Sequence, residues 1–598
     1  MWLRRRSAEP APRQRVRLVP DPRETPLDAA ELAAMFGSAT GHNQRLIEQL
    51  VAEHARSGGA LGRLLLDLVG VDDRAFAQAI ASRLGIPLAD LSHREPTPRA
   101  TAFVDPADAR RLGVLPLHIA SGDLLGGDLS VALIDPLDPE VYRFLESLTV
   151  ARVSLHVAPA IELAAAMNRA YPALAHVGEH VEAFAQSDVA LAASAMAALD
   201  AGAASDDAPI IQLVNELVTQ ALRDRASDVH IEPTNDRVRI RFRIDGALTE
   251  VLDLPTGVGP ALASRIKIMA DLNIVERRRP QDGQFETTVD DRDVDVRVST
   301  TATIWGEKVV LRLLDKSRSL MRLGDLGMPP ELEQAYQRIV RSPHGMVIAS
   351  GPTGSGKTTT LYATLSDINR VDLNVMTIED PVEYIFPSIN QIQINPHADV
   401  TFATGLRSIL RQDPDVILVG EIRDAETARI AVQSALTGHL VLSSMHAVDS
   451  VSGLYRLLDM GIEPFLVASS VNAIVAQRLV RRICGACAGP YTPDPAERDL
   501  YAQLEGPSKD CFVVGMGCNL CANTGFRGRV GVYEVLTVTD ELRQAVLEHR
   551  PLWEARALAA AQGLRTLQVE AIRLVAEDVT TIREVMSKVF VVDVNAGG

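Results

Sequence analysis

At 598 residues the chain is too long for one hydrophobic core, and about three to five domains are expected. A net charge of −17 beside 47% hydrophobic residues describes an acidic globular protein and argues against a broad nucleic-acid-binding surface. No apolar run approaches the roughly 18 to 20 residues that span a bilayer. The longest, Phe465 to Ala476, is interrupted by Ser469, Ser470 and Asn472, so membrane contact is expected to be peripheral.

Residues 1–27 hold Arg4-Arg5-Arg6 and further arginines with no apolar core behind them, which reads as a disordered basic tail and not a secretion signal. Residues 28–180 combine helical periodicity, as in Leu61-Gly-Arg-Leu-Leu-Leu-Asp-Leu, with strand-like pieces such as Leu129-Ser-Val-Ala-Leu-Ile, and predict a small α+β domain. Residues 181–207 turn into Ala, Ser, Gly and Asp and read as a linker or partly helical hinge. Residues 208–325 begin with a helix and continue through strictly alternating strands, Val238-Arg-Ile-Arg-Phe-Arg-Ile among them, each with one wet face. From 326 to 477 the apolar strands 346–350, 375–378, 416–419 and 440–444 alternate with helices, which implies a mainly parallel sheet with its chemistry at the carboxyl ends of the strands. A cysteine-bearing insert, 478–530, and a helical segment, 531–598, complete the chain.

The sharpest motif is Gly351-Pro352-Thr353-Gly354-Ser355-Gly356-Lys357-Thr358, which meets the phosphate-loop pattern at every required position between a strand and a helix. Glycines let successive N–H groups face a nucleotide's phosphates, Lys357 reaches the β/γ-phosphates, and Thr358 holds Mg²⁺. Val416-Ile-Leu-Val-Gly-Glu421 places a carboxylate at the end of a second buried strand, on the metal side. Thr377-Ile-Glu-Asp-Pro-Val-Glu383 ends a third strand with three carboxylates. Glu383 is the favoured orienter of the attacking water, the alternative being acids that merely cap a helix or solvate a loop. His439 and His446 flank the strand 440–444 and are candidates for a nucleotide-linked role. Cys484-Gly-Ala-Cys487 and Cys518-Asn-Leu-Cys521 supply four thiolates for tetrahedral Zn²⁺, and four protein ligands leave no open position, so the site is read as structural. A redox pair is the competing reading. Cys511 is left over, and the low cysteine count fits a reducing cytosol.

Taken in order, the phosphate loop, Thr377 to Glu383, Leu418-Val-Gly-Glu-Ile-Arg-Asp424, Thr437 to His446, Gln477-Arg-Leu-Val-Arg-Arg-Ile-Cys484 and the cysteine knuckles resemble the ATPases of type II secretion and type IV pilus assembly. Ser227-Asp-Val-His-Ile-Glu-Pro233, Arg241-Phe-Arg-Ile-Asp-Gly246 and Pro280-Gln-Asp-Gly283 extend the match upstream, so that it covers residues 207 to about 590. The resemblance implies an α/β, RecA-like core preceded by a PAS-like domain and an N-terminal recruiting domain, and followed by a zinc insert. It implies a homo-hexameric, Mg-dependent ATPase on the cytoplasmic side of the inner membrane, held there by a platform or docking protein and driving addition of pilin-like subunits to a filament. It also implies that Arg241 and Arg243 approach the nucleotide from the PAS-like domain. A retraction motor is the nearest alternative, disfavoured by the cysteine insert and long N-terminal domain. A DNA-translocating or conjugation-type ATPase and a non-hydrolysing scaffold are the rivals from other classes. The family's cyclic-dinucleotide pattern is not matched, since Ala60-Leu-Gly and Arg83 stand where Arg-Leu-Gly and Gln are expected, and such binding is not predicted.

Overall fold

The computed structural model describes residues 16–21, 73–120, 127–148, 150, 152–191, 209–290, 292–315 and 321–590. Strands β1 (Arg17–Val19), β2 (Val114–Ile119), β3 (Asp128–Leu133) and β4 (Arg152–Val157) form one sheet in the order β1-β4-β3-β2. Alternation places Leu129, Val131, Val153 and Leu155 in the core against the helices Asp73–Leu84 and Pro139–Ser147. The Asp73 carboxylate accepts from the N–H groups of Ala160 and Ile161 at 2.7 and 2.8 Å, capping the Ala160–Ala170 helix from across the domain. The basic tail is corrected here. Arg17–Val19 pairs in parallel with β4 and buries Leu18, an apolar residue hidden among arginines. The Leu61–Leu68 run and most of the tail lie outside the described residues, as do 192–207 of the expected linker, whose first part belongs to a helix, Val177–Leu191.

Strands β5 (Asp228–Pro233), β6 (Arg237–Ile244), β7 (Ala247–Pro255), β8 (Gln281–Val289), β9 (Arg292–Thr303) and β10 (Gly306–Asp315) make a wholly antiparallel sheet, ordered β7-β6-β5-β10-β9-β8. Its apolar face packs on the helices Pro209–Arg223 and Val258–Met269. On the other face the register lines up Arg243, Asp228, Arg312 and Arg297 across four strands.

The motor sheet contains β11 (Gly345–Ser350), β12 (Val375–Glu379), β13 (Asn390–Gln393), β14 (Val416–Val419), β15 (Leu440–Met445) and β16 (Val471–Ile483). A two-stranded ribbon, β17 (Ala488–Tyr491) with β18 (Phe512–Gly515), follows, and β19 (Phe526–Thr537) then returns to the motor sheet. The order is β13-β12-β14-β15-β11-β16-β19, parallel throughout except for β19. Strands β11, β14 and β15 are buried along their whole length, as two-sided cover by helices requires. The expected boundaries at 477/478 and 530/531 both fall inside strands, because β16 and β19 run past them as one antiparallel pair. The proline-bearing loop between the knuckles is itself folded, as the ribbon plus the Pro495–Gln503 helix. Among the described residues no helix is long and apolar enough to cross a membrane.

The last helix, Ile582–Lys588, is fastened to β16 by Glu584, 2% exposed, which accepts from Arg481 at 2.6 and 3.0 Å. Arg481 also lies 4.1 Å over the Phe526 ring. Arg481→Ala leaves a buried carboxylate without its cation and is expected to destabilise the motor domain by about 3 kcal/mol, read as a lower denaturation midpoint at unchanged slope.

Candidate active site

The phosphate loop joins β11 to the Lys357–Ile368 helix, so that loop N–H groups and the helix N-terminus converge on one point. Gly351 adopts φ +151°, and a Cβ there would stand 2.6 Å from the Gln477 carbonyl. At Gly356, φ +90°, it would stand 3.2 Å from Gln477 Nε2. Gln477, 1% exposed on the neighbouring strand β16, donates to the Ser355 carbonyl at 2.8 Å. Arg478 then donates to the carbonyls of Gln477 and Val448 at 3.0 and 2.8 Å. Neither brace has a local sequence signal that marks it as a site residue, although both lie in the Gln477–Cys484 stretch of the family resemblance.

Lys357 Nζ donates to the carbonyls of Gly351 and Pro352 at 2.9 and 3.1 Å. Burial pushes its pKa down, and the Glu421 carboxylate opposes that fall, so the two charges sense each other across the loop. Thr358 lies in the first helical turn, while Pro352, Thr353 and Gly354 are exposed at the loop's tip. Glu421 follows β14, with Oε1 2.6 Å from Arg423 and Oε2 4.0 Å from His446 Nε2 at the end of the adjacent β15. Gly420 precedes it because a Cβ there would press within 3.3 Å of Glu379 Cα and the Ile378 carbonyl. Thr358 and Glu421, an oxygen set beside the phosphate loop, fit the hard-cation chemistry of Mg²⁺.

The three carboxylates at the end of β12 and just after it separate by environment. Glu379, 4% exposed, is consumed by Thr377, Gln391 and the Tyr362 hydroxyl. Asp380 is exposed. Glu383 is half-buried, and its backbone N–H donates to the Tyr362 hydroxyl at 3.2 Å. Burial pushes the Glu383 pKa up, Glu379 adds to the rise, and Arg297 and Arg312 oppose it. Those two arginines, with Asp228, Gly283 and Pro381, line a cavity of about 520 Å³ between the antiparallel sheet and the motor.

Arg241 and Arg243 are placed differently. Arg241 is bidentate to Glu232 at 2.8 and 2.9 Å, and Arg243 lies 3.5 Å from Asp228. Although burial raises the Glu232 pKa, hydrogen bonds from Arg241 and Lys308 hold it down to about 2. Strand alternation marks all these arginines as wet-face residues, but the register is needed to tell which of them face Glu383. His439 stands at the start of β15, roughly 20 Å from His446 at ~3.3 Å per residue, with Nδ1 2.9 Å from the Ser434 carbonyl. The structure does not bring it to the phosphate loop.

The Sγ atoms of Cys484, Cys487, Cys518 and Cys521 all lie within 4.8 Å of one another, and the cysteines are buried. Cys484 to Cys518, Cys487 to Cys521 and Cys518 to Cys521 are each 3.8 Å. Tetrahedral ligation at ~2.3 Å per Zn–S bond requires sulfurs about 3.8 Å apart. The Cys518 and Gly525 N–H groups point at Cys521 Sγ from 3.2 and 3.3 Å, as thiolate ligands require. These residues fit a four-thiolate metal. Cys511 is exposed outside the cluster.

Fold and loop together define a P-loop nucleoside triphosphatase. The family described as Type II/IV secretion system protein matches residues 203–587, and the MshEN domain matches residues 84–176. Type II secretion system protein HxcR of Pseudomonas aeruginosa is 48% identical over 381 residues, 64% of this chain and 77% of its own length. Type IV pilus assembly ATPase PilB of Myxococcus xanthus is 38% identical over 538 residues, 89% of this chain and 94% of its own. Type II secretion system protein E of Xanthomonas campestris pv. campestris is 40% identical over 536 residues, covering 89% and 93%. The chain belongs to the type II/IV secretion system protein family.

Removing the Gln477 brace should loosen the loop without touching its donors. Gln477→Ala is expected to weaken nucleotide binding by about 1 kcal/mol, roughly fivefold in Kd, measured by titration with a fluorescent ATP analogue.

Proposed function

We propose that this protein is a Mg-dependent ATPase working as a homo-hexameric ring at the cytoplasmic face of the inner membrane. It converts hydrolysis into domain movement that adds pilin-like subunits to a filament, in type II secretion or type IV pilus extension. The observation that carries the reading is the division of the site between two domains. The phosphate loop, Glu421 and Glu383 stand on the motor, while Arg297 and Arg312 face Glu383 from the antiparallel sheet. Assembly is favoured over retraction by the tetracysteine module, the N-terminal domain and the extensive identity to a pilus assembly ATPase.

In this reading the loop N–H groups and Lys357 bind the β/γ-phosphates, and Thr358 and Glu421 hold Mg²⁺, which neutralises charge between those phosphates when bound. Glu383 orients the attacking water. His446, next to Glu421, senses the γ-phosphate side, whereas His439, Arg241 and Arg243 hold architecture. Arg297 and Arg312 draw the sheet towards added negative charge, so binding and loss of the γ-phosphate shift the equilibrium between domain arrangements. The four cysteines hold structural Zn²⁺. An inner-membrane platform or docking protein is the partner, and nucleic acid is not.

Mg-ATP turnover of wild type and Glu383→Gln, with native mass on the same samples, tests the reading. The variant should bind ATP as well as wild type and assemble, yet turn over ~10²-fold to 10⁴-fold more slowly. Unchanged turnover would move the water-orienting role elsewhere. DNA-stimulated turnover that collapses with salt would replace the filament reading with a translocase.

A pH profile tests the cross-domain charges. Because burial raises the Glu383 pKa, the carboxylate is lost on acidification above the ordinary glutamate range, and turnover should fall with it. Arg297→Ala removes a charge that favours the carboxylate, so the acid limb of kcat should move to still higher pH. A stationary limb would separate Arg297 from Glu383.

A further inference from the structure

Contacts of the Ala160–Ala170 helix continue beyond its own domain. Ala165 packs against the cluster formed by Cys484, Cys487, Cys518, Cys521 and Leu520. The Arg169 guanidinium donates to the carbonyl of Asn519, a residue enclosed between two of the cysteines. In the opposite direction, Arg527 Nη2 donates to the Ile161 carbonyl at 3.2 Å. The same turn of chain reaches the third domain, where the Gly528 N–H donates to Asp245 at 2.8 Å. Three domains therefore meet on the stretch from Asn519 to Gly528.

Arg169 Nε and Nη2 are buried without a hydrogen-bond partner. Burial pushes the pKa of both Arg169 and Arg527 down; Glu95 and then Cys518 oppose the fall at Arg169, and at Arg527, where Arg225 adds to it, Cys484, Glu162 and Cys518 oppose it. A guanidinium left with unanswered N–H groups away from water is costly unless negative charge stands close to it. Four thiolates on one divalent ion carry about two net negative charges, spread over the sulfurs against which this helix lies.

We infer that the metal-loaded tetracysteine module is an anionic dock that fixes the N-terminal domain to the motor, with Arg169 and Arg527 as its counter-cations. The inference rests on the metal reading of the cysteines given above and assigns that centre a role between domains as well as within its own fold. Because the module leads directly into β19, a displacement of the recruiting domain would be transmitted to the motor sheet through Asn519–Gly528 and not only through the segment joining the two domains.

The experiment uses the full-length protein, with metal content by plasma mass spectrometry and hydrogen exchange of peptides covering 160–170 and 515–528. Wild type should carry one zinc per chain and exchange slowly in both peptides. Arg169→Glu, at the same metal content, should exchange about tenfold faster in both, and Arg169→Lys should stay near wild type. Arg527→Glu attacks the interface from the motor side and should accelerate 160–170 to a similar degree. Chelation of wild type should release the 160–170 peptide as well. Exchange in either Glu variant that matches wild type with zinc in place would overturn the dock. A wild type that carries no metal would reject the metal reading, and with it the anionic dock, whatever the exchange rates.

Discussion

Gln477 reaches from β16 into the phosphate loop, donating to Ser355 while its own carbonyl crowds Gly351. That placement makes the shape of the nucleotide site depend on the position of one strand. β16 pairs with β11 on one side and β19 on the other, carries Arg478 to the Val448 carbonyl and Arg481 to the buried Glu584, and ends at Ile483, next to the first cysteine. A displacement of the tetracysteine module along this strand would reach Gln477 after seven residues, through the single register shift between Arg481 and Ile483 and with no loop between. The rigidity is purchased by burial, since most of β16 is hidden from solvent.

A second constraint is electrostatic and lies across the domain boundary. The wet face of the antiparallel sheet places Arg239, Arg241, Arg243, Arg297, Arg312 and Lys308 around Asp228 and Glu232. Glu232 takes Arg239, Arg241 and Lys308, and Asp228 takes Arg243 and Arg312, which neutralises the β5–β6 side most completely. The cationic surplus is left towards β9, at Arg297, whose Nε is buried without a partner. A face built in this way holds its own fold together at one end and attracts an anion at the other.

Much of this was legible in the chain itself. The strands around the phosphate loop lie where the apolar, β-branched runs predicted, because a sheet covered on both faces leaves little choice of period or length. The phosphate loop and the cysteine knuckles were legible for a related reason: each concentrates its chemistry within a few consecutive residues. What sequence could not supply was partnership at long separation. Nothing local distinguishes Arg241 from Arg312, since both alternate with apolar neighbours, and only the pairing of β5 with both β6 and β10 assigns the first to Glu232. His439 and His446 bracket one strand symmetrically on paper, yet a parallel sheet gathers its chemistry at one end, and β15 puts them at opposite ends. The short strand Arg17–Val19 escaped notice because three residues within an arginine-rich stretch carry no period.

That 477/478 and 530/531 both fall inside strands has one physical origin. Composition changes sharply at the cysteines, which marks a boundary in the sequence. An insert that emerges from the end of one strand and returns through its antiparallel neighbour, however, does not interrupt the sheet that carries it. The insert is thus a hairpin end elaborated into a module, its two feet only a strand spacing apart on the motor. An attachment with two adjacent feet hinges less freely than one with a single tether, because twisting the module requires twisting β16 against β19, which pair from Ala473 to Arg481 in one register and, after a shift, again at Ile483. The same geometry that hid the boundaries from sequence makes the cysteine module a rigid extension of the motor sheet, and it is against this extension that the Ala160–Ala170 helix rests.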